Sequence, residues 1–232
     1  MRKQLLTLAF STLVLFTACN SGSKESVQSH VLTAEHVASM TPDQVIDSLK
    51  IGNQAFAERH LHGHDYNAQL EESLQGQHPM AIVLSCIDSR VPVETVFDMG
   101  LGDLFVARVA GNVINEDMLG SMEYACEHTG SKVVVVLGHE SCGAVHAACE
   151  GVEAGNMTKM LDKIKPAIDS CLSKGCHHSS PEFEEEVVKA NVLNMVERVR
   201  SESTILSHME EKGEIKIVGA IFNLHTGIVS FL

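Results

Sequence analysis

Two short apolar segments of this 232-residue chain are each followed closely by cysteine or histidine. Residues 80–84 and 132–137 predict strands buried on both faces, which are typical of a parallel sheet covered by helices. Cys86 follows the first segment, and His139 and Cys142 follow the second. Because open α/β folds bring the carboxyl ends of their strands to one edge, we expect these three side chains to lie together there.

Two thiolates and one imidazole form a ligand set that zinc accepts. Catalytic zinc sites use three protein ligands and keep the fourth position for water or substrate, whereas structural sites are closed by four. The sequence therefore predicts one zinc ion per chain, bound by Cys86, His139 and Cys142, with a fourth coordination position left for water or substrate.

The residues around these ligands resemble the β-class carbonic anhydrases. The motif Cys-x-Asp-x-Arg at residues 86–90 precedes His-x-x-Cys-Gly at 139–143, and the likeness covers residues 77–151 and, more weakly, 191–232. It implies reversible, zinc-dependent hydration of carbon dioxide to bicarbonate and a proton by way of zinc-bound hydroxide. It also implies an α/β fold with a central, mostly parallel β-sheet flanked by helices, and an N-terminal helical arm that packs on a partner subunit.

The resemblance assigns catalytic roles to Asp88 and Arg90. In the family the aspartate either binds zinc as a fourth ligand, which closes the site, or pairs with the arginine, which leaves the metal to water. A carboxylate–guanidinium pair can be bidentate and directional, and these two residues are close in sequence. Without the resemblance, Asp88 would cap the following helix and Arg90 would form a surface ion pair.

Four further residues match family positions at the substrate pocket. Phe105 and Tyr124 suit an apolar hole for carbon dioxide. The side-chain amide of Gln77 and the backbone amide of Gly143 are candidate donors to a bicarbonate oxygen. The plainer interpretation makes Phe105 and Tyr124 core residues and Gln77 a loop amide.

Two positions indicate which subgroup of the family the chain resembles. Val83 stands where one subgroup has a tryptophan that helps to form an inhibitory bicarbonate site. The chain is therefore similar to the subgroup whose zinc site is open. Arg108, which the inhibited subgroup also uses, is expected to be structural.

The first residues predict export from the cytoplasm. Arg2 and Lys3 precede an apolar stretch at residues 5–16 that is too short to span a bilayer and is typical of a secretory signal. Small residues ahead of Cys19 and a polar run after it resemble a bacterial lipoprotein signal, with lipid attached to Cys19. Ordinary signal cleavage, with Cys19 unmodified, is the alternative.

These features divide the chain into a signal peptide at residues 1–18, a lipoprotein tether at 19–31 and a single β-carbonic anhydrase domain at 32–232. The domain would lie on the periplasmic or cell-surface side, with Cys19 as its only attachment to the membrane. If Cys19 carries no lipid, the protein would be soluble in the periplasm or secreted.

Charge and the resemblance together predict the partners. Removal of Arg2 and Lys3 with the signal leaves 15 basic residues against 30 acidic ones, a net charge of −15. Such a surface repels nucleic acid, so no nucleic-acid partner is expected. The resemblance implies carbon dioxide and bicarbonate as substrate and product, and a homodimer or tetramer of dimers with active sites at the subunit boundary.

Further cysteines and histidines lie outside the two motifs. Cys171 and Cys176 stand in a polar segment that interrupts the family pattern. Three interpretations remain open for this segment: a local disulfide, a mobile surface loop, or a second metal site with His177 and His178. The three histidines within residues 60–64 are expected to be exposed to solvent.

The rest of the chain alternates helices and strands. Thr41 before Pro42 predicts the start of a helix that continues through the periodic segment 45–57. The other predicted helices begin near 92 or cover 118–128, 142–150, 182–200 and 204–212, and the other predicted strands cover 104–109, 215–223 and 228–231.

Two other functions suit the same zinc ligands. Proteins of related fold hydrolyse carbon disulfide or carbonyl sulfide with this ligand set, and they differ in access to the pocket. A non-catalytic lipoprotein that binds zinc would use the thiolates but would not need Asp88 and Arg90.

Overall fold

The computed structural model describes residues 27–180 and 182–232. The predicted signal peptide and Cys19 lie outside these residues. The backbone amide of Gln28 donates to the carbonyl oxygen of Gly63 at 2.8 Å, and Gln28 forms an isolated parallel bridge with His64. The chain therefore contacts the domain from Gln28 onward, within the segment that the sequence assigns to the tether.

A five-stranded sheet forms the centre of the domain, in the order β2-β1-β3-β4-β5. Strands β1 to β4 are parallel, and β5 runs antiparallel to β4. Each strand overlaps a predicted one, so the mostly parallel sheet is confirmed. The strands are β1 (Ala81–Ser85), β2 (Leu104–Arg108), β3 (Val133–His139), β4 (Lys216–Phe222) and β5 (Val229–Phe231).

Helices cover both faces of the sheet. Those that the structure describes are α1 (Ala34–Ser39), α2 (Pro42–Ala57), α3 (Tyr66–Ser73), α4 (Val93–Val96), α5 (Glu116–Glu123), α6 (Gly143–Cys149), α7 (Gly155–Leu161), α8 (Lys165–Ser173), α9 (Phe183–Glu202) and α10 (Thr204–Glu211). A π-helical turn at Tyr124–His128 continues α5. Sequence analysis missed α1, α3, α7 and α8. None of the described helices is long and apolar enough to cross a membrane.

Alternate side chains of the central strands enter two separate cores. Ile82 and Leu84 of β1 belong to the core beneath α9, which contacts β3 and β4. Ala81 and Val83 belong to the core on the opposite face, beneath α2. Strands β1 and β3 are buried along their whole length, as their continuous apolar sequences predict.

Helix α2 packs on the sheet of its own chain. A capping box fixes its start, because the Thr41 hydroxyl accepts from the amide of Gln44 while the Gln44 side chain accepts from the amide of Thr41. Val45 and Leu49 are fully buried beneath it. Ile51 is 65% exposed, so the predicted contact of this helical arm with a partner concerns only its outer face.

Cys171 and Cys176 form a disulfide at the end of α8. Cys171 lies in the core, so the bond ties the segment after α8 to the domain. The structure therefore supports the first of the three interpretations of this segment, a local disulfide. Because both thiols are consumed, they do not form a second metal site with His177 and His178.

The prediction that all three histidines within residues 60–64 are exposed is wrong for His64. Only 5% of its side chain is exposed, and its Nε2 atom lies 3.5 Å from Oδ1 of the buried Asp98. Asp98 also accepts from the backbone amide of His62 at 3.1 Å and contacts Nδ1 of the same residue at 2.5 Å. A buried carboxylate requires polar partners, and these two histidines supply them.

Replacement of Gly52 by alanine tests the docking of α2. A Cβ atom at this position would lie 1.8 Å from the carbonyl oxygen of Phe97, so the helix would have to move off its support. We expect Gly52→Ala to lower the free energy of unfolding by about 3 kcal/mol in urea denaturation. Asp47→Ala, on the exposed face of the same helix, should change it by less than about 0.5 kcal/mol. Wild-type stability in Gly52→Ala would contradict this docking.

Candidate metal centre

The three predicted ligands meet at the carboxyl edge of the sheet. Cys86 directly follows β1, His139 is the last residue of β3, and Cys142 is the cap residue before α6. Their ligand atoms all lie within 4.8 Å of one another, and all three residues are buried. Within the residues described, no other group of three such side chains reaches this spacing.

The spacing of the sulfur atoms fits zinc. Tetrahedral coordination with Zn–S bonds of about 2.3 Å separates two thiolates by about 3.8 Å. The Sγ atoms of Cys86 and Cys142 lie 3.9 Å apart. The two cysteines are therefore positioned to bind one zinc ion without rearrangement.

The orientation of His139 leaves one ring nitrogen for a metal. Its Nδ1 atom lies 2.8 Å from the carbonyl oxygen of Glu140, so Nδ1 carries the proton and donates it to this acceptor. The Nε2 atom is buried and has no hydrogen-bond partner among the described residues. Such an orphaned nitrogen is costly unless it binds a ligand, and a fixed tautomer is usual for histidine bound to metal.

Hydrogen bonding prepares one of the two thiols for ligation. The hydrogen bond from Cys142 lowers the pKa of Cys86 to about 4, despite the opposing effect of burial. The same bond raises the pKa of Cys142. Burial lowers the pKa of His139, but the nearby Cys86 thiolate and the hydrogen bond to the Glu140 carbonyl outweigh burial, so that its pKa is raised overall. Protons on Cys142 and His139 therefore compete with a metal.

Asp88 and Arg90 form the bidentate pair that the sequence allows. Oδ1 of Asp88 accepts from Nε of Arg90 at 2.9 Å, and Oδ2 accepts from Nη2 at 2.7 Å. The pair holds the pKa of Asp88 at about 2. Oδ2 lies 3.9 Å from Nε2 of His139, so the ionised carboxylate borders the ligand cluster while Arg90 holds it. Of the two arrangements that the resemblance implies, the structure has the one in which the aspartate pairs with the arginine.

Arg108 fixes the backbone of the first motif. Its Nε atom donates to the carbonyl oxygen of Cys86 at 2.9 Å, and its Nη2 atom donates to that of Asp88 at 2.6 Å. These contacts agree with the structural role expected from the sequence. They also tie together the backbone on both sides of Ile87, at Cys86 and at Asp88.

Gly111 is a site residue that sequence analysis did not single out. Its backbone amide lies 3.4 Å from Sγ of Cys86 and favours the thiolate. The residue has φ 69°, and a Cβ atom there would lie 2.8 Å from Cδ1 of Ile164. The left-handed conformation favours glycine, and a larger residue would also displace the end of the Ile164 side chain. The glycine belongs to the run that carries the resemblance, but no pattern in a sequence reveals an amide directed at sulfur.

Phe105 and Tyr124 lie together, but not at the ligand cluster of the same chain. Their ring centroids are 6.3 Å apart in an edge-to-face arrangement. They line a cavity of about 730 Å³ beside the edge strand β2, and none of the three metal ligands belongs to its lining. Tyr124 is 50% exposed, which differs from the plainer expectation of a core residue.

The two candidate amide donors occupy exposed positions. Gln77 lies in the loop before β1 and is exposed. Gly143 begins α6, and a Cβ atom there would meet nothing within 4 Å. The next two backbone amides, of Ala144 and Val145, bond to Cys142 and partly offset the rise in its pKa.

Comparisons of sequence agree with this site. A family model described as carbonic anhydrase matches residues 81–229, which include all three ligands and the Asp88–Arg90 pair. Carbonic anhydrase 2 of Mycobacterium tuberculosis is 36% identical over 189 residues, which are 78% of this chain and 87% of that protein. A carbonic anhydrase of Mycolicibacterium smegmatis is 36% identical over 188 residues, or 78% and 89% of the two chains.

Comparisons of structure agree on the fold. A β-carbonic anhydrase of the fungal pathogen Aspergillus fumigatus superposes with a TM-score of 0.61 at 26% identity, covering 82% of this chain and 89% of that one. A β-carbonic anhydrase of Sordaria macrospora, described as tetrameric, gives a TM-score of 0.65 at 22% identity over 82% and 94%.

Zinc binding should weaken as pH falls. The pKa values of His139 and Cys142 are raised in the metal-free cluster, so zinc must displace protons from both. We expect the dissociation constant, measured by competition with a chelator, to rise at least about tenfold between pH 7.5 and pH 6.0. Cys149→Ser, which changes a thiol outside the cluster, should show the same dependence. A constant affinity over this range would contradict the proposed protonation.

Proposed function

The chain belongs to the carbonic anhydrase family, in its β class, and on that premise we propose that it hydrates carbon dioxide reversibly to bicarbonate and a proton at one zinc ion per chain. The observation that carries this proposal is the Asp88–Arg90 pair beside three metal ligands. A carboxylate that lies beside the three ligands, but is held by an arginine, can accept a hydrogen bond from water at a fourth metal position. A site that only stores zinc has no use for that arrangement.

The residues of the site have distinct tasks. Cys86, His139 and Cys142 would hold the metal through three ligand atoms. When bound, zinc supplies a Lewis acid toward the water that attacks carbon dioxide. Asp88 accepts a hydrogen bond from that water and so directs one of its lone pairs at the substrate carbon. Arg90 orients the Asp88 carboxylate by its two hydrogen bonds and lowers the pKa of that group to about 2.

The substrate pocket is proposed to be completed by a second subunit. Phe105 and Tyr124 line a cavity beside β2, which is at the edge of the sheet and offers an unpaired side to another copy. The description of the Sordaria macrospora structure as tetrameric supports an oligomer. A homodimer or tetramer of dimers would bring these rings to a partner's metal centre, where Gln77 and Gly143 act as donors to bicarbonate.

The location of the enzyme is proposed to be the periplasmic or cell-surface side. The disulfide between Cys171 and Cys176 supports this, because such bonds persist in oxidising compartments. Cleavage of a signal peptide at residues 1–18 and lipid on Cys19 would leave the domain anchored to the membrane. No described feature favours carbon disulfide or carbonyl sulfide as the substrate.

Asp88→Asn tests the catalytic assignment, since it preserves size and removes the charge. We expect kcat/KM for carbon dioxide hydration to fall at least about 100-fold, because a positioned proton acceptor contributes this much, while zinc stays at one per chain. Arg90→Lys keeps the charge but loses the two-pronged contact, so it should cause a smaller loss. Ser89→Ala, between them, is the matched control and should keep full activity. Full activity in Asp88→Asn would contradict the mechanism.

A further inference from the structure

One buried side chain of helix α9 reaches the turn that supports the metal centre. Asn191 is 1% exposed, and its Nδ2 atom donates to the carbonyl oxygen of Gly111 at 2.9 Å. The backbone amide of the same glycine donates to Sγ of Cys86 at 3.4 Å. These two bonds lie on either side of the Gly111 Cα atom. The glycine therefore links α9 to a metal ligand.

The conformation of this turn is not fixed by its own residues. Gly111 has φ 69° and Asn112 has φ 43°, so two successive residues lie in the left-handed region. Glycine adopts many other conformations equally well, and a residue with a side chain adopts the left-handed one at a cost. Contacts from outside the turn must therefore select the conformation that directs the Gly111 amide at sulfur.

Helix α9 supplies two such contacts, one helical turn apart. Besides the bond from Asn191, the buried Met195 accepts through its sulfur atom from the backbone amide of Ile114 at 3.4 Å. Residues four apart lie on the same face of a helix. One face of α9 therefore holds the chain at both Gly111 and Ile114.

Two glycines of the sheet allow α9 to lie this close. A Cβ atom at Gly138 of β3 would lie 2.5 Å from Cγ2 of Val192, and one at Gly219 of β4 would lie 2.7 Å from Cγ1 of the same valine. Gly138 directly precedes the ligand His139, and Asn191 directly precedes Val192. The packing of Val192 on the sheet thus places Asn191 within reach of the turn.

The side-chain amide of Asn191 makes one hydrogen bond and leaves one atom without a partner. A carbonyl oxygen only accepts, so the amide nitrogen must face Gly111. The Oδ1 atom is buried and has no hydrogen-bond partner among the described residues. A buried polar atom without a partner is destabilising, so this amide contributes little net stability. The bond to Gly111 is what distinguishes asparagine from an apolar residue at this position.

We propose that Asn191 is a positioning residue of the metal centre, which orients the Gly111 amide toward the sulfur of Cys86. A hydrogen bond to a ligating thiolate withdraws charge from the sulfur, and contacts of this kind tune a bound metal and increase its affinity. Asn191 touches neither the metal ligands nor the substrate pocket, and it acts through Gly111. The inference rests on the zinc site of the proposed function but not on the reaction assigned to that site.

Cadmium-113 NMR of the cadmium-substituted protein tests the wild-type geometry. A hydrogen bond to a metal-bound sulfur transmits a scalar coupling between the amide proton and the metal nucleus. We expect such a coupling between cadmium-113 and the amide proton of Gly111. Its absence from the wild-type spectrum would overturn the proposal.

Asn191→Ala and Asn191→Leu test the role of the side chain. Both remove the donor to Gly111, and leucine fills the space that alanine leaves empty. We expect the cadmium coupling to fall at least about twofold and the dissociation constant of zinc to rise about tenfold. In the cobalt-substituted protein, the sulfur-to-metal charge-transfer band should move to longer wavelength, because the thiolate regains charge.

Asn194→Ala is the matched control on the same helix. The Nδ2 atom of Asn194 makes no hydrogen bond within the part of the chain that the structure describes. This variant should leave the coupling, the band and the dissociation constant unchanged. Any one of the three left unchanged in a folded Asn191 variant would overturn the proposal.

Folding and turnover are measured separately. Failure of both Asn191 variants to fold, observed by circular dichroism, would assign Asn191 to stability and would also overturn the positioning role. Hydration of carbon dioxide by a wild-type protein that lacks the coupling rejects this inference alone. The expected spectra without any hydration reject the proposed function alone.

Discussion

The parallel pairing of β1 with β3 is the constraint on which the site depends. Its register sets Ser85 beside Leu137, so the chain emerges at one edge with Cys86 just past one strand and His139 at the end of the other. Hydrophobic burial on both faces fixes this register, because a shift by one residue would exchange the two cores. The free energy that holds the ligands 4.8 Å or less apart therefore comes from apolar packing beneath them.

The polar groups of the site are hydrogen-bonded in pairs. In each pair, one group influences where the other carries its proton or how readily it loses it. The hydrogen bond from the Cys142 thiol lowers the pKa of Cys86, the carbonyl of Glu140 fixes the tautomer of His139, and Arg90 lowers the pKa of Asp88. A metal replaces the protons that Cys142 and His139 otherwise hold. The same structure thus explains both why the site accepts zinc and why Asp88 remains an acceptor beside it.

Much of the fold was predictable because its buried strands and helices have continuous or periodic apolar sequences. Strands β1 and β3, helices α2 and α9 and the three ligands were found because apolar runs and soft ligands are visible residue by residue. The capture of His64 by Asp98 was not predicted, since the two are brought together only by the folded chain. The amide of Gly111 directed at Cys86 depends on a backbone conformation that a side-chain pattern does not encode.

The central claim is that one zinc ion at this cluster makes the chain hydrate carbon dioxide. Metal-free protein beginning at Asn20 would be titrated with zinc, and stopped-flow hydration at pH 8.5 would be followed at each addition. We expect turnover to rise in proportion to bound zinc and to stop rising at one equivalent per chain. Full occupancy of the cluster without turnover would contradict the claim.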